Sequence, residues 1–210
     1  MAGRSSQSAG VRIGVPMAVT QRDTQRHTYG DYLEWSRDYG DEIIDGVAYV
    51  REPPSPSRIH QELVVELYYQ LRCALEGRSC RVYVAPLDVR LPRSDECDDK
   101  IETVVQPDVF IVCDRGKTDE RGVRGAPDWL AEVLSPSTAS YDQSVKIPLY
   151  ERAGVSEVWL IHPTDRTLAI YRLEDSRYGR PIYQELKGQT LLSAVPSVGI
   201  DWDRMMTRLV

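Results

Sequence analysis

The stretch V-V-Q-P-D-V-F-I-V, residues 104–112, is followed after a glycine-rich loop by W-L-A-E-V-L, residues 129–134. Each is an apolar, β-branched run of strand length that carries one carboxylate, Asp108 in the first and Glu132 in the second. A buried carboxylate needs a cation, a set of N–H donors or a strand edge open to water, because desolvation otherwise costs several kcal/mol. A salt bridge or solvent exposure accounts for either acid alone. Two acids on neighbouring strands repel unless a divalent cation neutralises them, and Mg²⁺ is commonly held by one or two carboxylates. The pair therefore points to a Mg²⁺ site, which Mn²⁺ can also fill.

Around this pair the chain reads as a mixed plan. Arg81–Leu91 is a strand, separated from Thr103–Cys113 by the polar loop 92–102, and Asp128–Leu134 is the third strand of the triplet. Tyr141–Ala153 has a helical pattern stopped by Gly154, and Glu157–His162 and Thr167–Leu173 flank a turn. Upstream, Ser57 caps a helix with Ile59, Leu63, Val64, Leu67, Leu71 and Leu75 on one face, and Gly77 stops it. Before that come a short helix from the Thr28 cap to about Arg37, ended by Tyr39-Gly40, a hairpin over 42–51 turning at Asp45-Gly46, and a stiff connector at 52–56. The order predicts an α/β fold with a mixed central sheet flanked by helices, the strand triplet partly antiparallel and the later helix making a crossover.

The 210 residues are 41% hydrophobic and 28% charged, which suits one globular domain and excludes disorder. No apolar run is long enough to span a bilayer. Residues 1–27 are rich in Ser, Gly, Gln and Arg and lack an apolar signal core, so they read as a flexible tail on a cytoplasmic protein, with a single domain over 28–210. That tail carries four Arg against Asp23, net +3, which leaves −9 for the rest of the total of −6. An acidic body disfavours sequence-independent phosphate binding and suits carboxylates gathered around a cation. Cys73, Cys80, Cys97 and Cys113 contain no C-x-x-C pair and read as reduced thiols.

Pro107-Asp108, a loop, and then Glu132-Val133-Leu134 on the next strand resemble the PD-(D/E)XK nuclease superfamily. The runs E-I-I-D-G (42–46), S-P-S-R-I-H (55–60), Q-P-D-V (106–109) and G-A-P-D-W-L-A-E-V-L-S-P-S-T (125–138) resemble, more closely, the Uma-two family of restriction endonucleases. So do Asp142-x-x-x-Lys146-x-x-x-Tyr150 and A-G-V-S-E-V-W-L-I-H-P (153–163), and the similarity spans roughly residues 28 to 205. The resemblance implies a restriction-endonuclease-like core, a homodimer, and hydrolysis of phosphodiester bonds, in DNA, by a divalent metal held between Asp108 and Glu132 and touched by the Val133 carbonyl. The superfamily's lysine two residues past the Glu is absent, since Leu134 stands there. Lys146 on the following helix is the substitute that could orient water or stabilise developing charge, although Pro148 leaves its aim open. A histidine on the first core helix serves as a metal ligand in exonuclease-like branches, and His60 matches that position.

His60 lies on the Val64 and Leu67 face and points coreward, as a ligand or as a satisfied core histidine. Glu42 and Asp88 are further acids near the pattern; a strand pairing centred near residue 98 would set Asp88 opposite Asp108. Asp142 reads as a helix cap. Arg115, Lys117, Arg121 and Arg124, interleaved with Gly116, Gly122 and Gly125, form the most basic stretch and read as a mobile substrate-facing loop or a solvated one. Two other functions stay open: a binding or assembly module that keeps the fold without catalysis, motivated by Leu134 and the acidic body, and a hydrolase of small phosphoesters.

Overall fold

In the computed structural model, which describes residues 20–35, 42–50, 57–135 and 139–208, the first strand is β1 (Thr20–Gln21). A capping box between Thr28 and Asp31 starts helix α1 (Tyr29–Leu33). The hairpin of β2 (Glu42–Ile44) and β3 (Val47–Val50) turns through Asp45 and Gly46, with φ of 52° and 80°. Positive φ at both turn residues matches the twist of the flanking strands, and Asp-Gly supplies it at little strain. β1 pairs antiparallel with β3, so Thr20 and Gln21 of the 1–27 stretch join a sheet. Helix α1 ends at Leu33 rather than near Arg37, and the Tyr39-Gly40 stop and the 52–56 connector lie outside the described residues. Ser57 accepts the His60 N–H at 3.1 Å and begins α2 (Arg58–Ala74), as its pattern predicts.

Two prolines divide strands that the pattern reads as continuous. Arg81–Leu91 becomes β4 (Arg81–Val84) and β5 (Val89–Arg90), parted near Pro86; Thr103–Cys113 becomes β6 (Val104–Val105) and β7 (Val109–Val112), parted at Pro107. Proline has no N–H for the ladder, and at each break the chain passes from one sheet to another. There follow β8 (Thr118–Asp119), β9 (Gly122–Arg124), β10 (Trp129–Val133), α3 (Ala139–Tyr141), a π-helical turn (Asp142–Lys146) and α4 (Ile147–Ala153). The chain ends through β11 (Glu157–His162), β12 (Thr167–Glu174), β13 (Arg177–Tyr178), β14 (Ile182–Glu185), β15 (Gln189–Leu191), β16 (Gly199–Asp201) and α5 (Trp202–Met206).

The main sheet runs β13-β12-β11-β10-β7-β4, with β14 also on β12. The triplet β4, β7, β10 is antiparallel, and the helical segment after β10 crosses over to β11, which lies parallel to β10. That is the mixed sheet the sequence predicts. The other large sheet runs β1-β3-β2-β6-β5-β9-β8. Strand alternation sorts the core: Val109, Ile111, Trp129, Ala131, Trp159 and Ile161 pack with Leu63, Leu67 and Leu71 of α2. Phe110, Val112, Leu130, Val158 and Leu160 pack instead with Ile147, Leu149 and Tyr150 of α4 and with Val89 and Val105 of the other sheet. Asp108 and Glu132 share the parity of this second set. Among the described residues no helix is long and apolar enough to cross a membrane.

One expectation from composition changes. Cys80 and Cys113 form a disulfide, because the β4–β7 register that pairs Arg81 with Val112 sets these two cysteines opposite at the next position; only Cys73 and Cys97 are free thiols. The fully buried guanidinium of Arg90 pairs with Asp98 and takes both oxygens of Asp119 at 2.7 Å. Arg90→Ala should therefore lower the unfolding free energy by about 3–5 kcal/mol in denaturant titration. Arg90→Lys should recover only part of it, since an ammonium cannot make the paired bonds of the guanidinium fork.

Candidate active site

The register of β7 against β10 builds the site. Val109 pairs with Ala131, so the next residues outward, Asp108 and Glu132, stand opposite one another and point to one face. They are 7% and 2% exposed. The Val133 N–H donates to Asp108 Oδ2 at 2.8 Å, and the Asp108 N–H reaches Glu132 Oε2 at 3.4 Å. Each strand's backbone thus holds the acid of the other.

Lys146 reaches this pair from the segment after β10. Pro148 cannot give an N–H to the residue four before it, and the wider π turn over Asp142–Lys146 accommodates the gap just ahead of α4. The turn sends Lys146 inward, fully buried, with Nζ 3.0 Å from Glu132 Oε1 and 2.9 Å from Glu42 Oε1. Tyr150, one turn further on the same face, donates its hydroxyl to Glu132 Oε1 at 2.6 Å. Burial, and then the neighbouring Glu132 charge, push this phenol well above its ordinary pKa, so it stays a donor.

His60 reaches Asp108 from the first turn of α2, its Nε2 3.2 Å from Asp108 Oδ2. The candidate metal-binding residues His60, Asp108 and Glu132 and the candidate assistant Lys146 are thus linked through successive pairwise contacts. Two further acids, Glu42 and Asp142, join the cluster. Glu42, from β2, joins directly through Lys146. Asp142 is no helix cap but a buried acid with Oδ1 3.7 Å from Lys146 Nζ, a placement the four-residue spacing could have suggested. Asp88 pairs elsewhere. The β5–β6 register of Val89 with Val105 sets it opposite Gln106, whose Nε2 donates to Asp88 Oδ1 at 2.9 Å.

The basic loop does not present a free row of cations. Lys117 Nζ donates to the Ala126 carbonyl at 2.9 Å, Arg124 to Asp98 at 3.0 Å and to the Glu96 carbonyl at 2.6 Å, and Arg121 lies 3.8 Å from Asp99. Gly122 serves close packing: its φ is +118°, and a Cβ there would sit 2.3 Å from the Asp88 carbonyl oxygen.

By type, the two carboxylates supply the oxygen ligands that a hard divalent cation such as Mg²⁺ or Mn²⁺ takes, and the imidazole adds one nitrogen. Among the described residues, no three His, Cys, Asp or Glu side chains are already grouped as a metal cluster. Glu132 Oε1 instead accepts hydrogen bonds from Lys146 and Tyr150, and Asp108 Oδ2 accepts one from the Val133 N–H.

A helix, an antiparallel strand triplet, a helical crossover and a parallel strand, with paired acids at the facing strand ends, define a restriction-endonuclease-like α/β protein. The model of the Uma2 family, "Putative restriction endonuclease", matches residues 29–204, and the chain belongs to that family. It is similar to an uncharacterized protein of Synechocystis sp., slr1290, at 25% identity over 148 residues, 69% of this chain and 73% of the relative. Its fold is similar to a crystal structure titled as a "putative nuclease belonging to DUF820" from Anabaena variabilis. The TM-score is 0.67 at 19% identity, over 87% of this chain and 99% of that one.

Proposed function

We propose that the protein is a metal-dependent nuclease that hydrolyses phosphodiester bonds in DNA, with Asp108, Glu132 and His60 holding Mg²⁺ or Mn²⁺ and Lys146 assisting. The observation that carries the reading is the facing of Asp108 and Glu132 across β7 and β10 with the Lys146 ammonium 3.0 Å from Glu132. A bound divalent ion would polarise the phosphodiester and lower the pKa of a water nucleophile. The chain's own part is positional: backbone amides and Tyr150 fix the carboxylates, and Lys146 keeps a positive charge beside them to offset charge developing on the phosphate. A homodimer, as the resemblance implies, would let two acidic copies build one basic channel from both chains.

The test is incubation of the purified protein with supercoiled and linear DNA and with a chromogenic phosphodiester, in Mg²⁺, in Mn²⁺ and in EDTA, beside calorimetric titration with each ion. DNA cleavage that EDTA stops is the expected result. Cleavage of the small ester alone would redirect the reading to phosphoesters. Neither cleavage nor ion uptake would leave a module that keeps the fold without its chemistry.

A further inference from the structure

Lys146 shares its charge among several carboxylates. Its Nζ lies 2.9 Å from Glu42 and 3.0 Å from Glu132, with Asp142 further off at 3.7 Å. Glu42 comes from the other sheet and is 1% exposed. Its Oε1 also accepts the Gln106 N–H at 2.9 Å, and Tyr141 donates to its Oε2 at 3.2 Å. Gln106 is two residues from Asp108, and its own amide group donates to Asp88 at 2.9 Å and to Tyr32 at 3.0 Å. Glu42 is therefore held from three sides by groups rooted in the segment that carries Asp108 and in the turn that carries Lys146.

The charges give this placement a purpose. Asp108 and Glu132 together match a divalent cation, but an ammonium on Glu132 opposes the ion: it competes for the carboxylate and repels the cation through a medium of low polarity. A second carboxylate at nearly the same distance from the ammonium offsets both effects. We propose that Glu42 is a positioning residue of this site, the counter-ion that takes up the Lys146 charge so that Asp108 and Glu132 keep theirs for a divalent cation. The proposal rests on the metal-dependent reading above.

The experiment is calorimetric titration of Mn²⁺ into the full chain, wild type beside Glu42→Gln, Lys146→Met and the double variant, each checked for folding by thermal melt. Partners that act through a ligand typically change metal affinity by about 10–100-fold. Glu42→Gln should weaken uptake by about that factor, and Lys146→Met should bind at least as tightly as wild type. The double variant, with both charges gone, should bind at least about tenfold more tightly than Glu42→Gln. Wild-type affinity in folded Glu42→Gln overturns the proposal, as does an equal loss in the single and double variants, which would make Glu42 a ligand or a purely structural acid. If Glu42→Gln does not fold, Glu42→Asp keeps the charge and should bind within about tenfold of wild type; a larger loss in that folded variant also overturns it. A wild type that takes up no ion removes the metal reading and this inference with it, whereas uptake by wild type that ignores Glu42 removes this inference alone.

Discussion

Glu132→Gln and Asp108→Asn should each fold and each lose DNA cleavage by about 10³-fold or more. A carboxamide keeps the shape of the carboxylate and one good acceptor oxygen, so in Glu132→Gln the side chain can still receive Tyr150 and Lys146, which meet Glu132 at 2.6 and 3.0 Å. In Asp108→Asn the amide oxygen can likewise still receive the Val133 N–H, which meets Asp108 at 2.8 Å. What each variant removes is one negative charge from the pair that would hold the ion. Metal-assisted polarisation contributes several kcal/mol to the transition state, and about 1.4 kcal/mol corresponds to a tenfold change in rate. The two acids serve one ion, so the double variant should be little worse than either single one. Single-turnover plasmid nicking in Mn²⁺ reads the loss, and thermal melts show that it is not unfolding. Activity within about tenfold of wild type in both folded variants would make these acids structural and sink the nuclease assignment.

The two acids were legible because their surroundings are not polar. An isolated Asp in V-V-Q-P-D-V-F-I-V and an isolated Glu in W-L-A-E-V-L are conspicuous against apolar neighbours, and cross-strand pairing needs only short-range register to bring them together. Lys146 was legible from the helix that follows, and the Leu63, Leu67 and Leu71 face of α2 from its periodicity, although Ile59, expected on that face, is exposed because it lies in the first turn, outside the packed core. Less legible was anything that depends on where a strand breaks. Residues 85–88 part β4 from β5 and residues 106–108 part β6 from β7, so the two ladders differ in register by one residue. That offset puts Ala85 across from Asp108 in the main sheet and Asp88 across from Gln106 in the other, and no local pattern announces it. The Cys80–Cys113 bond follows from the same long-range register. Glu42 was visible only as an acid in a hairpin, because its partner, Lys146, lies more than a hundred residues further along the chain and is turned inward by a π turn that helical periodicity does not foresee.

Lys146→Met should lower the unfolding free energy in EDTA by about 3–5 kcal/mol, the largest effect of any single change in the cluster on stability. Lys146 is fully buried between Glu42 and Glu132, themselves 1% and 2% exposed. Methionine fills nearly the same volume and leaves those carboxylates facing each other without a cation, so the loss measures orphaned charge rather than a cavity. Adding Glu42→Gln to Lys146→Met removes one of the orphaned charges, so the double variant should be more stable than Lys146→Met alone, an inversion that independent effects cannot produce. Saturating Mn²⁺ should also return part of the lost stability, because an ion that binds only the folded chain stabilises it by mass action. Denaturant titration of the four proteins, with and without the ion, reads all of these. A Lys146→Met protein within about 1 kcal/mol of wild type in EDTA would mean that the carboxylates take up protons or turn to water once the ammonium is gone. The charge of Lys146 would then contribute to the chemistry of the site and not to the fold that holds it.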